Sequence, residues 1–408
     1  MKRSLLFSIV RCLLCSILAA GLRGGAGTVQ AASEKPETAA PAADERLVKA
    51  KPGPWGQIEY SYFYLEAPQH LLDTVQAPNS TPRWVFSDTK PEALRTLFVR
   101  AKMPADMQVR LLDPKKSLIA NGQLTLFPST DDLEAMTPEM RAVIYPEVAK
   151  SPANEFYQYP IYFTGDGVEE WLRDSKLRPE LQDIIRKMSY PHGRVQAFSN
   201  IAVLLSHAQS DAEARRIVKV TTRVRCLIAH LRIEPGDDIK ALAAYWTARD
   251  AESDILPLLE SAGERAGAMA ELDLMHLLPP LARRLLYTYP GLESAREGRM
   301  PDCHWTTLNF FNKTPQQYYR DTRLASQHVI ESYRRVEPPY RLGDALMFMN
   351  SAGDVIHSCV YVADDIVFTK NGENLLQPWV LKKLNGVKQI YLQSDAWHVQ
   401  GFRLKDGA

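Results

Sequence analysis

Two residues in the last quarter of the chain have the side chains of a nucleophile and its base. Cys303 follows Asp302 in the stretch "MPDCHWTTLNFF", and His357 begins the apolar run "HSCVYV". Cysteine attacks as the thiolate, and a nearby imidazole can take the thiol proton. Asp302 is a typical N-cap, so a helix should begin at Cys303, and its positive end would lower the thiol pKa. The two residues therefore predict nucleophilic catalysis, with Cys303 as nucleophile and His357 as base.

A third polar group should hold the imidazole by accepting a hydrogen bond from its other ring N–H. The sequence after His357 predicts a β-hairpin, and a three-residue turn sets His357 opposite Asn371. A two-residue turn at 364–365 slips the register and moves Lys370 onto that face instead. Because a carboxamide is the better acceptor, we expect Asn371 to orient the imidazole, with Thr369 as the second choice.

Other cysteine and histidine residues offer alternatives to this pair. His304 is adjacent to Cys303, and on a helix it should point away from the sulfur. Cys359 shares a strand face with His357 but lacks a helix N-terminus, so it is expected in the sheet core. A disulfide between Cys226 and Cys359 would leave Cys303 as the free thiol, and the sequence leaves this pairing open.

Residues 300–405 should form the elements that position these side chains. Two helices come first, then strands around tight turns, which is an α+β arrangement. The expected order is helix "DCHWTTLNFF", helix "TPQQYYRDTRLASQHVIESYRRVE", strands "ALMFM", "VIHSCVYV" and "DIVFTKNG", a short helical segment "NLLQPWVLKKL", and closing strands "VKQIYL" and "HVQGFRL".

This unit resembles the NlpC/P60 branch of papain-like cysteine peptidases. The resemblance rests on Asp302-Cys303, on "RLGDALMF" at 341–348 and on "HSCVYVADDIVF" at 357–368, in that order. It implies a papain-like fold, Cys303 as nucleophile, His357 as base, and a third polar residue at the position of Thr369. It also implies cleavage of amide bonds, commonly in peptidoglycan stem peptides, through a thioester intermediate. No cofactor or metal is expected.

The residues that follow Cys303 depart from the family pattern. Many members have Ser-Gly there, whereas this chain has His304 and Trp305, and this leaves the substrate open. Trp305 and Tyr340 are candidates for substrate binding in the cleft, with core packing as the alternative for each. The departure also fits a non-catalytic envelope binding or scaffold protein with a decayed papain-like domain. A third reading keeps the fold but changes the bond, to lipid hydrolysis or acyl transfer.

The N-terminus predicts export to the periplasm or the cell exterior. Residues 1–31 have a basic start, an apolar stretch broken by Arg11, and Val29 and Ala31 before a small-residue cleavage site. Removing them lowers the formal net charge from +1 to −3, which gives no electrostatic basis for nucleic-acid binding. No later stretch is apolar enough for a membrane span. Peptidoglycan or a peptide is the expected partner, and the oligomeric state is left open.

Composition divides the rest of the chain into three regions. Residues 32–54 are rich in Pro, Ala and charge and read as a linker. Residues 55–165 mix strands such as "IEYSYFYLEA" with helices, and residues 166–295 have mainly helical spacing, including one long helix over "DAEARRIVKVTTRVRCLIAHL". These regions carry no Cys-x-x-Cys pair and no HExxH motif.

Overall fold

A computed structural model of the chain describes residues 47–74, 81–87, 90–248, 255–264, 270–298 and 300–406. The predicted signal peptide and most of the predicted linker lie outside these residues. The strands are β1 (Val48–Lys49), β2 (Gln57–Leu65), β3 (Trp84–Ser87), β4 (Ser117–Ala120), β5 (Gln123–Leu126), β6 (Ile161–Phe163), β7 (Tyr190–His192), β8 (Val195–Phe198), β9 (Val224–Ile233), β10 (Ala270–Asp273), β11 (Tyr333–Val336), β12 (Ala345–Met349), β13 (Val355–Ala363), β14 (Ile366–Lys370), β15 (Trp379–Lys383) and β16 (His398–Leu404).

Helices separate most of these strands, so the chain has the expected α+β class. They are α1 (Gln69–Leu72), α2 (Pro91–Arg100), α3 (Ala105–Leu111), α4 (Thr130–Ala135), α5 (Pro138–Val148), α6 (Glu155–Gln158), α7 (Val168–Leu172), α8 (Pro179–Met188), α9 (Ile201–Ser206), α10 (Asp211–Thr221), α11 (Ile239–Thr247), α12 (Ile255–Glu264), α13 (Pro280–Leu285), α14 (Leu292–Arg296), α15 (Cys303–Leu308), α16 (Thr322–Ser332) and α17 (Leu384–Tyr391). None of the helices in the described ranges is both long and apolar enough to span a bilayer.

Two large hydrophobic cores organise the described chain. The buried members of one core all lie between Trp84 and Val220. The other joins Ile58 and Tyr60 of β2, residues 227–286 and the C-terminal unit from Trp305 to Phe402. The segment that builds the first core is therefore inserted between β2 and β9, which pair antiparallel from Gln57↔Arg232 to Leu65↔Val224.

The two hydrophobic cores do not follow the region boundaries expected from composition. The boundary expected between residues 165 and 166 lies inside the core that Trp84 to Val220 build, so residues 166–295 are divided between the two cores. The helix expected over 211–231 is two elements, helix α10 and strand β9. The end of the expected linker is strand β1, which pairs with β2.

A six-stranded antiparallel sheet supports the C-terminal unit, in the order β11-β16-β12-β13-β14-β15. Helix α15 packs on one face, where Trp305 and Leu308 share a core with Val360 and Val362 of β13. Helix α17 covers the other face, where Cys359 and Tyr361 pack with Leu384 and Val387. The alternation of side chains along β13 thus sends His357 and Cys359 toward α17, and Ser358 and Val360 toward α15.

Three further expectations for the C-terminal unit are wrong. The long second helix is shorter: α16 ends at Ser332, and Tyr333–Val336 form strand β11. The segment read as helical contains strand β15, and "VKQIYL", read as a strand, belongs to helix α17. Leu384, Val387 and Tyr391 lie on one helical face at i, i+3 and i+7, and this apolar stripe packs against the sheet.

Candidate active site

Cys303 is the first residue of helix α15, as the sequence predicts. The Asp302 carboxylate caps the helix by accepting a hydrogen bond from the Trp305 backbone N–H at 2.7 Å. The helix is anchored to the second core by the hydroxyl of Thr306, which accepts from the Trp379 indole N–H at 2.9 Å. Cys303 is 5% exposed, so its thiol lies at the end of a helix but beneath the protein surface.

Burial gives this thiol a higher pKa than the sequence predicts. Loss of water and the negative charge of Asp302 raise the pKa of Cys303 to about 12, although the Ser358 backbone N–H and Lys370 act to lower it. The expectation of a thiol with a lowered pKa is therefore wrong for this conformation. The negative charge of the capping carboxylate offsets the positive end of the helix dipole. A helix of only six residues also has a weak dipole, so it does little to stabilise a thiolate.

His357 lies on β13 and is held from two sides. Its ring stacks on Tyr391 with centroids 4.0 Å apart, and its Nε2 lies 3.1 Å from the Thr369 hydroxyl. The side chain is 1% exposed, and its Nδ1 has no hydrogen-bond partner within the described chain. Burial, together with the nearby His304 and Lys382, holds the pKa of His357 well below its usual range. The ring is therefore neutral, with one nitrogen engaged and the other unengaged.

The imidazole contacts Thr369 and not Asn371, although the register of the β13–β14 ladder is the one that sets His357 opposite position 371. The turn is the two-residue one, since Ala363 pairs with Ile366, and an irregularity after Tyr361 then restores the other register, with Val360 opposite Phe368. Asn371 lies beyond the last residue of β14, and its side-chain oxygen accepts from the hydroxyl of Tyr391. The orienting contact expected for Asn371 is thus made by Thr369 in this structure.

Cys303 on α15 and His357 on β13 are not hydrogen-bonded to each other in the described residues. The sulfur faces the backbone N–H of Ser358, the residue next to His357. The ladder between β13 and β14 ends at Val360 and Phe368, and the Ser358 carbonyl accepts from the Thr369 hydroxyl at 3.4 Å. Because the His357 side chain points toward α17 and the thiol approaches β13 from α15, the two groups lie on opposite faces of the sheet.

A buried hydrogen-bond network joins helix α15 to Ser358 of β13, a feature that the sequence did not reveal. Ser358 Oγ lies 2.9 Å from His304 Nδ1, 3.0 Å from the Thr307 hydroxyl and 3.2 Å from the Cys303 carbonyl. The Ser358 hydroxyl is the donor to both the Thr307 hydroxyl and the Cys303 carbonyl, which share its one hydrogen, so its oxygen accepts from His304 Nδ1–H. His304 also lines a mostly apolar cavity of about 370 Å³ between α15, α16 and the sheet.

Lys370 is a second residue that the sequence analysis did not assign to the site. It is fully buried on the α15 side of β14, and its ammonium donates to the carbonyls of Gly372 at 2.6 Å and Asn374 at 3.0 Å. Burial lowers the pKa of Lys370 to about 8. Its charge acts on both Asp302 and Cys303. In the sequence, "FTKNG" looks like an ordinary strand end, so only the sheet register reveals this buried cation.

The two residues expected to bind substrate lie elsewhere. Trp305 is 4% exposed and packs in the core, with its ring centroid 6.3 Å from that of Trp379. It therefore has the core-packing role that was the alternative to substrate binding. Tyr340 is partly exposed and packs against Tyr361 at 5.8 Å, on the sheet face that α17 covers. Neither residue contacts Cys303 through a hydrogen bond or ring contact in the described structure.

The cysteines and the acidic residues define what else the site can hold. Cys226, Cys303 and Cys359 are all free thiols, so Cys226 and Cys359 do not form a disulfide in this structure. In the ranges that the structure covers, no three His, Cys, Asp or Glu side chains are grouped to hold a metal ion. The chemistry open to these residues is acid–base and nucleophilic chemistry.

Comparison of the chain with protein-family models, with curated proteins and with solved structures found no match.

Proposed function

We propose that the chain is a cysteine hydrolase of the NlpC/P60 kind, with a papain-like C-terminal unit in which Cys303 is the nucleophile and His357 the base. The observation that carries this proposal is the bonding of the His357 ring. The Ser358 carbonyl can only accept, so the Thr369 hydroxyl donates to it and accepts from His357 Nε2–H. That arrangement leaves the lone pair on Nδ1, the nitrogen that has no partner. A neutral imidazole fixed in one tautomer is what a general base requires.

The reaction begins from a neutral pair, because burial raises the pKa of Cys303 and lowers that of His357. In the proposed reaction Nδ1 takes the thiol proton as the Cys303 sulfur attacks the amide carbonyl, and this step requires that substrate binding brings the two groups together. The C–N bond then breaks, and the imidazolium returns the proton to the leaving amine. Water, deprotonated by the same nitrogen, hydrolyses the thioester and releases the free thiol and the carboxylic acid.

The proposed substrate is a peptidoglycan stem peptide outside the cytoplasm. Support comes from the resemblance of residues 300–405 to NlpC/P60 enzymes and from the signal-like N-terminal residues 1–31. The inserted core between Trp84 and Val220 is a separate body of structure that could hold the enzyme to the polymer.

The experiment is hydrolysis of soluble muropeptides by the purified exported form, with products identified by mass spectrometry. Cys303→Ala should reduce turnover by a factor of about 10³ or more, since no other group replaces a covalent nucleophile. Cys359→Ala is the matched control, because it removes an equally buried thiol from the α17 face. Undiminished hydrolysis by a folded Cys303→Ala protein would refute the assignment.

A non-catalytic envelope scaffold is the second candidate, and the burial and raised pKa of the Cys303 thiol favour it. Cys303 is buried and carries a pKa of about 12, so no thiolate is present at rest. On this reading the wild-type protein binds sacculi without cleaving any muropeptide, and Cys303→Ala binds them equally well.

A further inference from the structure

A small polar pocket lies on the α17 side of the C-terminal sheet, next to His357. Its empty volume is about 290 Å³, and it is bounded by the sheet, helix α17 and the start of β9. The polar side chains that line it are those of His357, Thr369, Asn371, Gln377, Lys382 and Tyr391. No Asp or Glu side chain is among its walls in the part of the chain that the structure describes.

Lys382 is the charged group of this pocket and has no partner there. It lies opposite Val367 in the β14–β15 ladder, so its side chain shares the sheet face of α17. Within the described residues its ammonium makes no hydrogen bond and no ion pair. The neighbouring lysines differ: Lys383 pairs with Asp364 at 3.2 Å, and Lys370 donates to two carbonyls. A partly buried ammonium next to polar groups but without an anion is a site that an anion would complete.

The other polar groups present donors to the same space. Asn371 lines the pocket, and its side-chain oxygen accepts from the hydroxyl of Tyr391, so the group of this carboxamide left for a ligand is its NH₂ donor. Gln377 adds a second carboxamide. An ammonium and amide N–H groups around one small pocket match the two oxygens of a carboxylate.

Electrostatics tie this pocket to the proposed base. The positive charge of Lys382 helps to lower the pKa of His357, after burial and His304. Burial and Arg225 in turn lower the pKa of Lys382 to about 8, so the ammonium is still the main form at neutral pH. An anion bound at Lys382 would offset its charge and make the His357 ring more basic at the moment that substrate is present.

We propose that this pocket binds a carboxylate of the substrate through Lys382 and Asn371, so that the preferred substrate carries a free carboxylate close to the bond that is cleaved. The inference rests on the proposed function and adds to it the class of substrate.

The test uses the full exported chain carrying Cys303→Ala, so that no probe is consumed. The probes are N-acetyl dipeptides ending in L- or D-alanine, each as the free acid and as the C-terminal amide, titrated by calorimetry at pH 7. One of the acids should bind at least about tenfold more tightly than its amide, as a charge-assisted contact requires. Adding Lys382→Met should remove this preference, and Lys382→Arg should retain most of it.

Lys388→Met is the matched control, because it removes the same charge from α17 without altering the pocket wall. Equal binding of acid and amide, binding of neither, or a preference that survives Lys382→Met would overturn the carboxylate site. The two proposals separate cleanly. Muropeptide cleavage without an acid preference defeats only the pocket, whereas an acid preference with an inert wild-type enzyme defeats only the hydrolase.

Discussion

Thr369 is the residue on which the orientation of His357 depends. Its hydroxyl lies 3.1 Å from Nε2, while Asn371 contacts Tyr391 instead. Thr369→Val keeps the shape of the side chain but removes the hydrogen bond, so the ring can adopt the wrong tautomer. We expect kcat on muropeptides to fall by a factor of about 10 to 100 with little change in KM, a fraction of the 10²–10⁴ that general bases contribute.

Asn371→Ala is the comparison that identifies the orienting residue. Because Asn371 faces the pocket of Lys382, its loss should raise KM and leave kcat nearly unchanged. The reverse outcome, with kcat lost in Asn371→Ala and kept in Thr369→Val, would show that the carboxamide orients the ring during turnover.

The sequence was sufficient to nominate Cys303 and His357 but not to rank their neighbours. Residue type and order single out a cysteine after an N-cap and a histidine that begins a strand. The choice between Thr369 and Asn371 depended on β14 ending before Asn371 and on a helix that brings Tyr391 to the carboxamide. Neither feature has a local signature, so the chemical preference for a carboxamide as acceptor gave the wrong order.

Lys370 should make the stability of the protein rise between pH 8 and pH 10.5. Burial lowers its pKa from 10.5 to about 8, so in this window the unfolded chain binds a proton that the folded chain does not. The free energy of unfolding therefore increases as the pH rises through this window. The stability gained in this way is lost as the pH falls to 8. A shift of this size corresponds to about 3 kcal/mol.

The measurement is urea unfolding of the wild type and of Lys370→Met across this pH range. Tyrosines and cysteines with raised pKa values act in the opposite direction in both proteins, so the informative quantity is the difference between their unfolding free energies. That difference should grow with pH in favour of the wild type. A difference independent of pH would mean that Lys370 titrates normally.

At the scale of elements, helix α15 sets two properties of the nucleophile through Asp302. The carboxylate caps the helix and, being negative, helps to raise the pKa of Cys303. Asp302→Asn retains a capping oxygen but removes the charge, so the thiol pKa should fall and alkylation of Cys303 by iodoacetamide should become faster. Asp302→Ala removes both, and it should also cost about 1 kcal/mol of stability, the usual value of an N-cap.

Site-resolved mass spectrometry separates Cys303 from the other two thiols, and thermal unfolding reports the lost cap. Cys226 serves as the internal reference, because its pKa is also raised to about 12 by burial and it lies on β9, away from Asp302. Equal labelling rates for the wild type and Asp302→Asn would show that burial alone controls the thiol.

Elements were predictable where a local signal marks their start or their turn. Helix α15 has a capping aspartate, and the β13–β14 hairpin has an Asp-Asp turn between β-branched runs. Strand β9 was misread because the helical spacing of α10 runs on into it without a proline or glycine. Its alternating burial and its long pairing with β2, far away in sequence, decide the strand. Long-range pairing of this kind leaves no trace within a sequence window.

At the scale of the whole molecule, the C-terminal unit shares its core with the rest of the chain. The family-like motifs of residues 300–405 had suggested a separate domain. The core of the C-terminal unit continues into β2, β9 and the helices α11 and α12. Its edge strand β15 is bonded to the preceding segment, where the Tyr287 N–H donates to the Trp379 carbonyl at 2.7 Å and the Trp379 N–H donates to that of Thr288 at 3.1 Å. Composition and local patterns place domain boundaries where the residue pattern changes. The hydrophobic cores instead join segments that are distant in sequence.

This organisation predicts that residues 300–406 will not fold alone, whereas residues 81–222 will. Excising the C-terminal unit exposes the side of its core that Leu227, Leu231 and Trp246 cover, and it removes the partner of β15. The inserted segment keeps every buried member of its own core. Cooperative urea unfolding and dispersed amide NMR signals should therefore be seen for 81–222 and for the full chain, and be absent for 300–406. In the full chain, Leu227→Ala should destabilise the C-terminal sheet by about 2–5 kcal/mol, the cost of a large-to-small change in a core. A cooperative transition in the isolated 300–406 fragment would show that the shared core is dispensable and that the C-terminal unit is autonomous.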